Sequence, residues 1–256
     1  MPRSSRLLLA GLVLAWLVPG SWSPTARPAG PARFPSPDRP VAAVIAPAYS
    51  TEETRDRAGE AARVMDALGI RPGLRVADIG AGDGYYTVRL ARRLGGGAGL
   101  VAQDLKPEHL ARLEARLTRE SITGVTLVAG APGDPRLPPA SVDVAILAHV
   151  YHELENPYEF FHRLRPALAP GARVAIVDLD KPTRDHGTPP ALLGCELAAI
   201  GYRPVGFVGL EPADGYLAVF VPPDELPHVD AIRPCPVARG LHDALDGRRG
   251  RPPPGS

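Results

Sequence analysis

The stretch VADIGAGDGYYTVRLA, residues 76–91, sets one carboxylate, Asp78, ahead of three alternating glycines, Gly80, Gly82 and Gly84. Glycine tolerates positive φ and lets a ligand approach main-chain atoms closely, so such a loop after a strand suits small-molecule binding. A phosphate-gripping P-loop needs G-x-x-x-x-G-K-[ST], and no such lysine exists here. The dinucleotide fingerprint is G-x-G-x-x-G, whereas these glycines read G-x-G-x-G. Asp78 argues in the same direction, because a carboxylate repels a pyrophosphate but attracts a cationic or amino-acid ligand. A second concentration of reactive groups is His149-Val150-Tyr151-His152-Glu153, at the end of an apolar run. Its HELEN segment, 152–156, opens like the zinc motif H-E-x-x-H but has Asn156 where the second histidine belongs, so no metal is expected. Asp178 and Asp180 follow a later apolar run, where they either line the same side of the fold or cap a loop.

These groups need strand ends beneath them, and the pattern supplies strands. Apolar runs recur as RVADI, GLVAQDL, VTLVAG, VDVAILAH, RVAIVDL, PVGFVGL and YLAVFV. Helix-period segments separate them at Tyr86–Leu94, Glu108–Glu120, Pro157–Leu168 and Pro190–Ile200. A further helix is expected from Ser50, whose spacing to Glu53 is that of a capping box, with Ala58, Ala61, Met65 and Leu68 as its apolar stripe and Gly69 as its stop. Alternation of this kind predicts an α/β fold, a mostly parallel sheet with helices on both faces. The last two runs are joined by a short polar turn with no room for a crossover helix, so they must pair antiparallel.

With those elements in place, VADIGAGDGYYTVRLA resembles the first motif of class I S-adenosylmethionine-dependent methyltransferases, and the likeness extends over about residues 49–221. It implies a Rossmann-like sheet of seven strands ending in the antiparallel pair, and S-adenosylmethionine as cofactor. By this resemblance Asp78, Gly80, Ala81, Gly82, Asp83 and Gly84 surround the methionine portion, with one of Tyr85 and Tyr86 facing it. Asp104, followed by Leu105, stands where the family's ribose-binding acid does; one carboxylate supplies the two acceptors that a ribose diol needs. The family's usual acid after the third strand is missing, since Ala131 follows Gly130, and Asp134 either substitutes or is only a turn acid. The stretch SVDVAILAHVYHELENP is similar to the fourth-strand region of small-molecule methyltransferases, which brings His149 to the cofactor and acceptor. A hydroxyl or phenol acceptor benefits from a base, and His149 or His152 would serve, with Tyr151 packing on the acceptor or directing the cationic methyl. The structural alternatives are that His149 caps a backbone group, His152 orients the next helix and Glu153 is a first-turn acid. The loop 181–190, KPTRDHGTPP, is the expected source of substrate selectivity.

The chain ends read differently from this middle. Arg3 and Arg6 precede an apolar run from Leu7 to Val18 and a Pro-Gly break, so residues 1–23 are expected to be a signal peptide or membrane anchor. Residues 24–48 read as a Pro-rich linker, 49–222 as the methyltransferase domain, and 223–256 as a disordered Pro/Arg/Gly-rich tail. An exported or anchored protein is expected, or a cytoplasmic one if the leader does not function. Cys195 and Cys235 can pair once in an oxidising compartment and match no metal motif, although Cys235 falls in the segment expected to be loose. Lys and Arg total 29 against 28 acids, so no basic field favours nucleic acid; the expected partner is a small-molecule acceptor, with membrane association through the leader. Two other functions remain open: a binding module that kept the scaffold and lost the cofactor, and a nicotinamide oxidoreductase, whose ribose Asp104 would also suit.

Overall fold

The computed structural model describes residues 33–43, 51–210 and 215–236. The segment expected to be a leader, Ser50 and the expected tail beyond residue 236 lie outside the described residues. Among the described residues seven strands form one sheet: β1 (Val76–Ile79), β2 (Leu100–Asp104), β3 (Thr126–Ala129), β4 (Val142–Ala148), β5 (Leu168–Leu179), β6 (Arg203–Leu210) and β7 (Gly215–Val221). Their order is β3-β2-β1-β4-β5-β7-β6. The first five are parallel, while β7 inserts antiparallel between β5 and β6. Expectation and structure agree on this topology.

Among the described residues six α-helices accompany the sheet: α1 (Glu52–Arg57), α2 (Glu60–Ala67), α3 (Tyr85–Leu94), α4 (Pro107–Arg119), α5 (Pro157–Leu164) and α6 (Pro190–Ala198). Strand residues alternate between two cores, as a period of two requires. Val144 and Ile146 of β4 pack with Val64 and Met65 of α2 and Leu90 of α3. Ala145 and Leu147 pack on the opposite face with Phe161 of α5 and Leu197 of α6. Both faces are therefore covered, which is why the central strands read as continuous apolar runs. Among the described residues no helix is long and apolar enough to cross a membrane.

Three departures from expectation matter for the site. The helix predicted from Ser50 through Leu68 is two helices, broken where Gly59 takes φ 65° and capped by the Thr51 side chain. The helix predicted over Pro157–Leu168 ends at Leu164, because Pro166 cannot continue it, and a 3₁₀ turn leads directly into β5.

The third departure is at both ends of the domain. Residues 33–43, expected to be linker, form a strap on it: Arg39 is buried against Glu196 of α6 at 2.9 Å, and the Ala42 amide donates to the His152 carbonyl at 3.0 Å. The segment after β7, expected to be loose, packs through buried Val229, Ile232 and Cys235. Cys235 forms a disulfide with Cys195 of α6, and its amide donates to the Tyr158 hydroxyl at 3.0 Å. Ile232 joins the core cluster of α5 and α6, so three apolar residues outweigh the prolines around them.

Candidate functional site

The glycine loop lies between β1 and α3, at the carboxyl edge of the sheet. Gly80, Gly82 and Gly84 all have positive φ, at 70°, 54° and 91°. Gly80 and Ala81 donate their amides to the Gln103 carbonyl, and Gly82 donates to Asp104 Oδ2 at 2.8 Å. A Cβ on Gly80 would strike the Val150 side chain, and one on Gly84 would strike Leu113. One on Gly82 would meet nothing within 4 Å. Two glycines are thus required for packing, and the middle one opens on space that a ligand can enter.

Asp104, at the end of β2, is buried and accepts from the Lys106 amide at 2.9 Å, with His109 Nδ1 3.1 Å away. Its carboxylate is therefore oriented as well as placed. Asp78 is buried and accepts the Thr87 hydroxyl at 2.5 Å. Burial pushes its carboxyl up to about 6, against the Thr87 bond and the charge of Arg55, with Asp104 adding to the rise. The loop and these two acids fit the cofactor that the resemblance implies: an open, main-chain-lined cradle beside a carboxylate at each of two adjacent strand ends.

Other expected contacts go elsewhere. Tyr85 does not offer its ring to a ligand; the guanidinium carbons of Arg55 and Arg89 lie 3.7 and 3.8 Å from its centroid, and its hydroxyl donates to Asp56. Asp83 turns outward to Arg112 at 2.8 Å, and Leu105 is 46% exposed. Asp134 bridges back to Ala131 and accepts the Arg136 amide at 2.9 Å, which makes it a turn acid rather than a replacement for the missing carboxylate.

His149 closes β4 with φ 57°, its amide donating to the Val177 carbonyl. Its Nε2 lies 3.2 Å from Glu60 Oε2, and both residues line a cavity of about 40 Å³ with Leu179, Leu210 and Gly215. Glu60 also receives Arg55 at 2.6 Å and the Tyr86 hydroxyl at 3.0 Å. Burial raises the Glu60 carboxyl, but the bonds and charges of His149 and Arg55 outweigh it and hold the group at about 2. His149 thus has a permanently charged partner at a partly open position, the arrangement of an oriented base.

His152 is buried, with Nδ1 at 3.0 and 3.2 Å from the two Asp178 oxygens. Asp178 accepts in addition from the Thr188 hydroxyl and the Leu179 amide, so it holds His152 and the 181–190 loop rather than an acceptor, while Asp180 is exposed. Tyr151 is fully buried and donates to Glu196 Oε2 at 2.7 Å, with Arg39 over its ring at 5.4 Å. Burial and the Glu196 charge push its hydroxyl well above the usual phenol range. It is a structural member of the strap network, and an acceptor cannot reach it.

Sequence reasoning missed Glu60, Arg55 and His186. Glu60 falls within the single helix expected from Ser50, and nothing local signals a partner 89 residues away. A larger concavity, about 500 Å³ between α6 and the β6–β7 pair, is lined by Pro190, Gly194, Phe207 and other apolar or small residues and carries no titratable group.

A family model described as a methyltransferase domain matches residues 77–174, from β1 into β5. No curated protein sequence matches the chain. Among solved structures, a SAM-dependent methyltransferase from Aquifex aeolicus is 22% identical, with 63% of this chain and 88% of that chain covered at a TM-score of 0.59. An S-adenosylmethionine-dependent methyltransferase from Mesorhizobium loti is 19% identical over 63% of this chain and 98% of that chain, at a TM-score of 0.51. Residues 77–174 are thus similar to a methyltransferase domain, and the chain shares its fold with these two solved structures.

Proposed function

We infer that this protein catalyses S-adenosylmethionine-dependent methyl transfer to a small-molecule acceptor. The observation that carries this is the glycine cradle, with Gly82 open to space and its amide held by Asp104. When bound, the cofactor supplies an activated methyl group. Gly80, Gly82 and Gly84 admit its methionine portion, Asp104 takes the ribose hydroxyls and Asp78, when ionised, favours the cationic end. His149, oriented by Glu60, accepts the proton of a hydroxyl or phenol acceptor at the end of β4. The near-neutral balance of the chain supports a small acceptor over a nucleic acid.

The leader marks the protein for export or membrane anchoring, and the Cys195–Cys235 disulfide supports an oxidising compartment. In that case the cofactor must be supplied across the membrane.

The test is calorimetric titration of the full chain with S-adenosylhomocysteine beside Asp104→Ala. Micromolar binding, weakened ten-fold or more in the variant, is the expected result and corresponds to a loss of about 1.4 kcal/mol. No binding by a folded wild-type chain would overturn the reading. It would favour the non-catalytic scaffold that Asp134, tied into its own turn, already gives some reason to consider. Competition by NADH would favour the nicotinamide enzyme.

A further inference from the structure

The sequence argument against a metal rested on Asn156, where H-E-x-x-H would place a second histidine on the same helix. The fold supplies a histidine from elsewhere. His152 and Glu153 sit in a 3₁₀ turn after β4, and His186 ends a second 3₁₀ turn after β5. One donor atom from each of the three lies within 4.8 Å of the others, the sole gathering of three such groups among the described residues. We propose that His152, Glu153 and His186 bind a divalent zinc ion, through two imidazole nitrogens and one carboxylate oxygen.

The surroundings are those of a built site. The His152 ring is fixed by Asp178, whose oxygens lie 3.0 and 3.2 Å from Nδ1. With the Nδ1 proton donated to that carboxylate, Nε2 keeps its lone pair for a metal, and the anion raises the basicity of the ring. Asp178 is itself held by Thr188 and the Leu179 amide, so the support does not depend on one contact. The His152 and His186 rings stand edge to face at 5.5 Å between centroids.

The strap clamps both turns that carry the donors. The Ala42 amide binds the His152 carbonyl at 3.0 Å, Arg39 reaches the Tyr151 carbonyl at 3.4 Å, and the Thr183 hydroxyl donates to the Pro40 carbonyl at 2.7 Å. His186 is held in the left-handed region at φ 57°, a conformation uncommon among non-glycine residues.

Two imidazoles and one carboxylate are a borderline set that suits zinc, and three protein ligands leave a fourth position for water or an oxygen ligand. Tetrahedral zinc at bonds of about 2.0–2.1 Å separates its donors by about 3.3 Å. Glu153 and His186 are half-buried, so an ion has a route in. The cysteines do not compete, being joined to each other. The site stands independently of the methyl-transfer reading.

The experiment uses the full chain, disulfide intact, stripped with a chelator and titrated with zinc chloride by calorimetry, with cobalt(II) absorption as a second readout. One ion per chain is expected, with an intense visible cobalt spectrum of tetrahedral type. His186→Ala and Glu153→Gln should each weaken binding at least ten-fold, and Asp178→Asn by 10- to 100-fold. His228→Ala, at an exposed histidine beside Asp230, should change nothing. Circular dichroism and thermal unfolding verify that each variant is folded; His186 and Glu153 lie outside the core clusters, so their variants carry the test even if Asp178→Asn does not fold. Absence of saturable zinc binding by the folded wild-type chain would overturn the proposal, as would binding that both His186→Ala and Glu153→Gln leave unchanged. Titrating the same samples with S-adenosylhomocysteine separates failure of this site from failure of the cofactor reading.

Discussion

Replacing Arg39 by methionine should be among the most damaging single changes in the protein. Both Arg39 and Glu196 have side chains with no solvent exposure, and Glu196 also accepts the Tyr151 hydroxyl at 2.7 Å. Methionine fills much the same space but leaves the Glu196 carboxylate buried without its cation. Breaking a buried pair in this way costs about 3–5 kcal/mol. For a domain of this size each kcal/mol lowers Tm by about 2–4 °C, so a fall of about 6–20 °C is expected. Removing the whole network should do less harm than removing one member. Arg39→Met/Glu196→Leu/Tyr151→Phe leaves neither an unpaired charge nor an unpaired hydroxyl and should recover most of the loss. Equilibrium urea unfolding followed by far-ultraviolet circular dichroism measures both. Tryptophan emission would not serve, because both tryptophans, Trp16 and Trp22, lie outside the described domain. A cost below about 1 kcal/mol for Arg39→Met, or a triple variant worse than the single one, would refute the buried-network argument and with it the docked strap.

Three further outcomes are expected. The Glu60 carboxyl, held at about 2 in the folded protein by His149 and Arg55 against burial, contributes stability present above its unfolded value and lost as pH falls toward 2. Glu60→Gln should therefore flatten the acid limb of the unfolding profile, removing roughly 3 kcal/mol of its pH dependence; an unchanged limb would show that the group is not so held. Gly82→Ala should fold with a loss of about 1–2 kcal/mol from its positive φ, yet bind S-adenosylhomocysteine at least ten-fold more weakly, whereas Gly84→Ala, meeting Leu113, should lose more stability; equal binding by Gly82→Ala and wild type would place the ligand elsewhere. Reducing the disulfide, which spans 40 residues, should cost about 4 kcal/mol on the chain-entropy account, read as a shift in urea midpoint that Cys195→Ser/Cys235→Ser reproduces.

The sheet was legible because its signal is local and repeated. Each buried strand is a short apolar run, and the turn between β6 and β7 is too short for anything but an antiparallel return. The glycine loop and Asp104 were legible for the same reason, as loop and strand end carry their own residue types. What escaped reading was every contact made at long range. Arg39 stands among prolines and looks like linker until Glu196 is brought to it from 157 positions away. Tyr151 lies beside two candidate bases, and only burial against Glu196 distinguishes it from them. Asn156 argued against a metal because a motif fixes ligands on one helix, whereas His186 arrives on a loop from the next strand.

Cys195 and Glu196 are neighbours on α6, one taking Cys235 and the other Arg39, so a single helix turn receives both ends of the described chain. Synthesis delivers these ends at very different times. Arg39 emerges early and has no partner until α6 has been made, and the disulfide must wait for a still later residue. The contact between Arg39 and Glu196 therefore cannot form until most of the chain has been made. The described domain locks only when its last packed residues arrive.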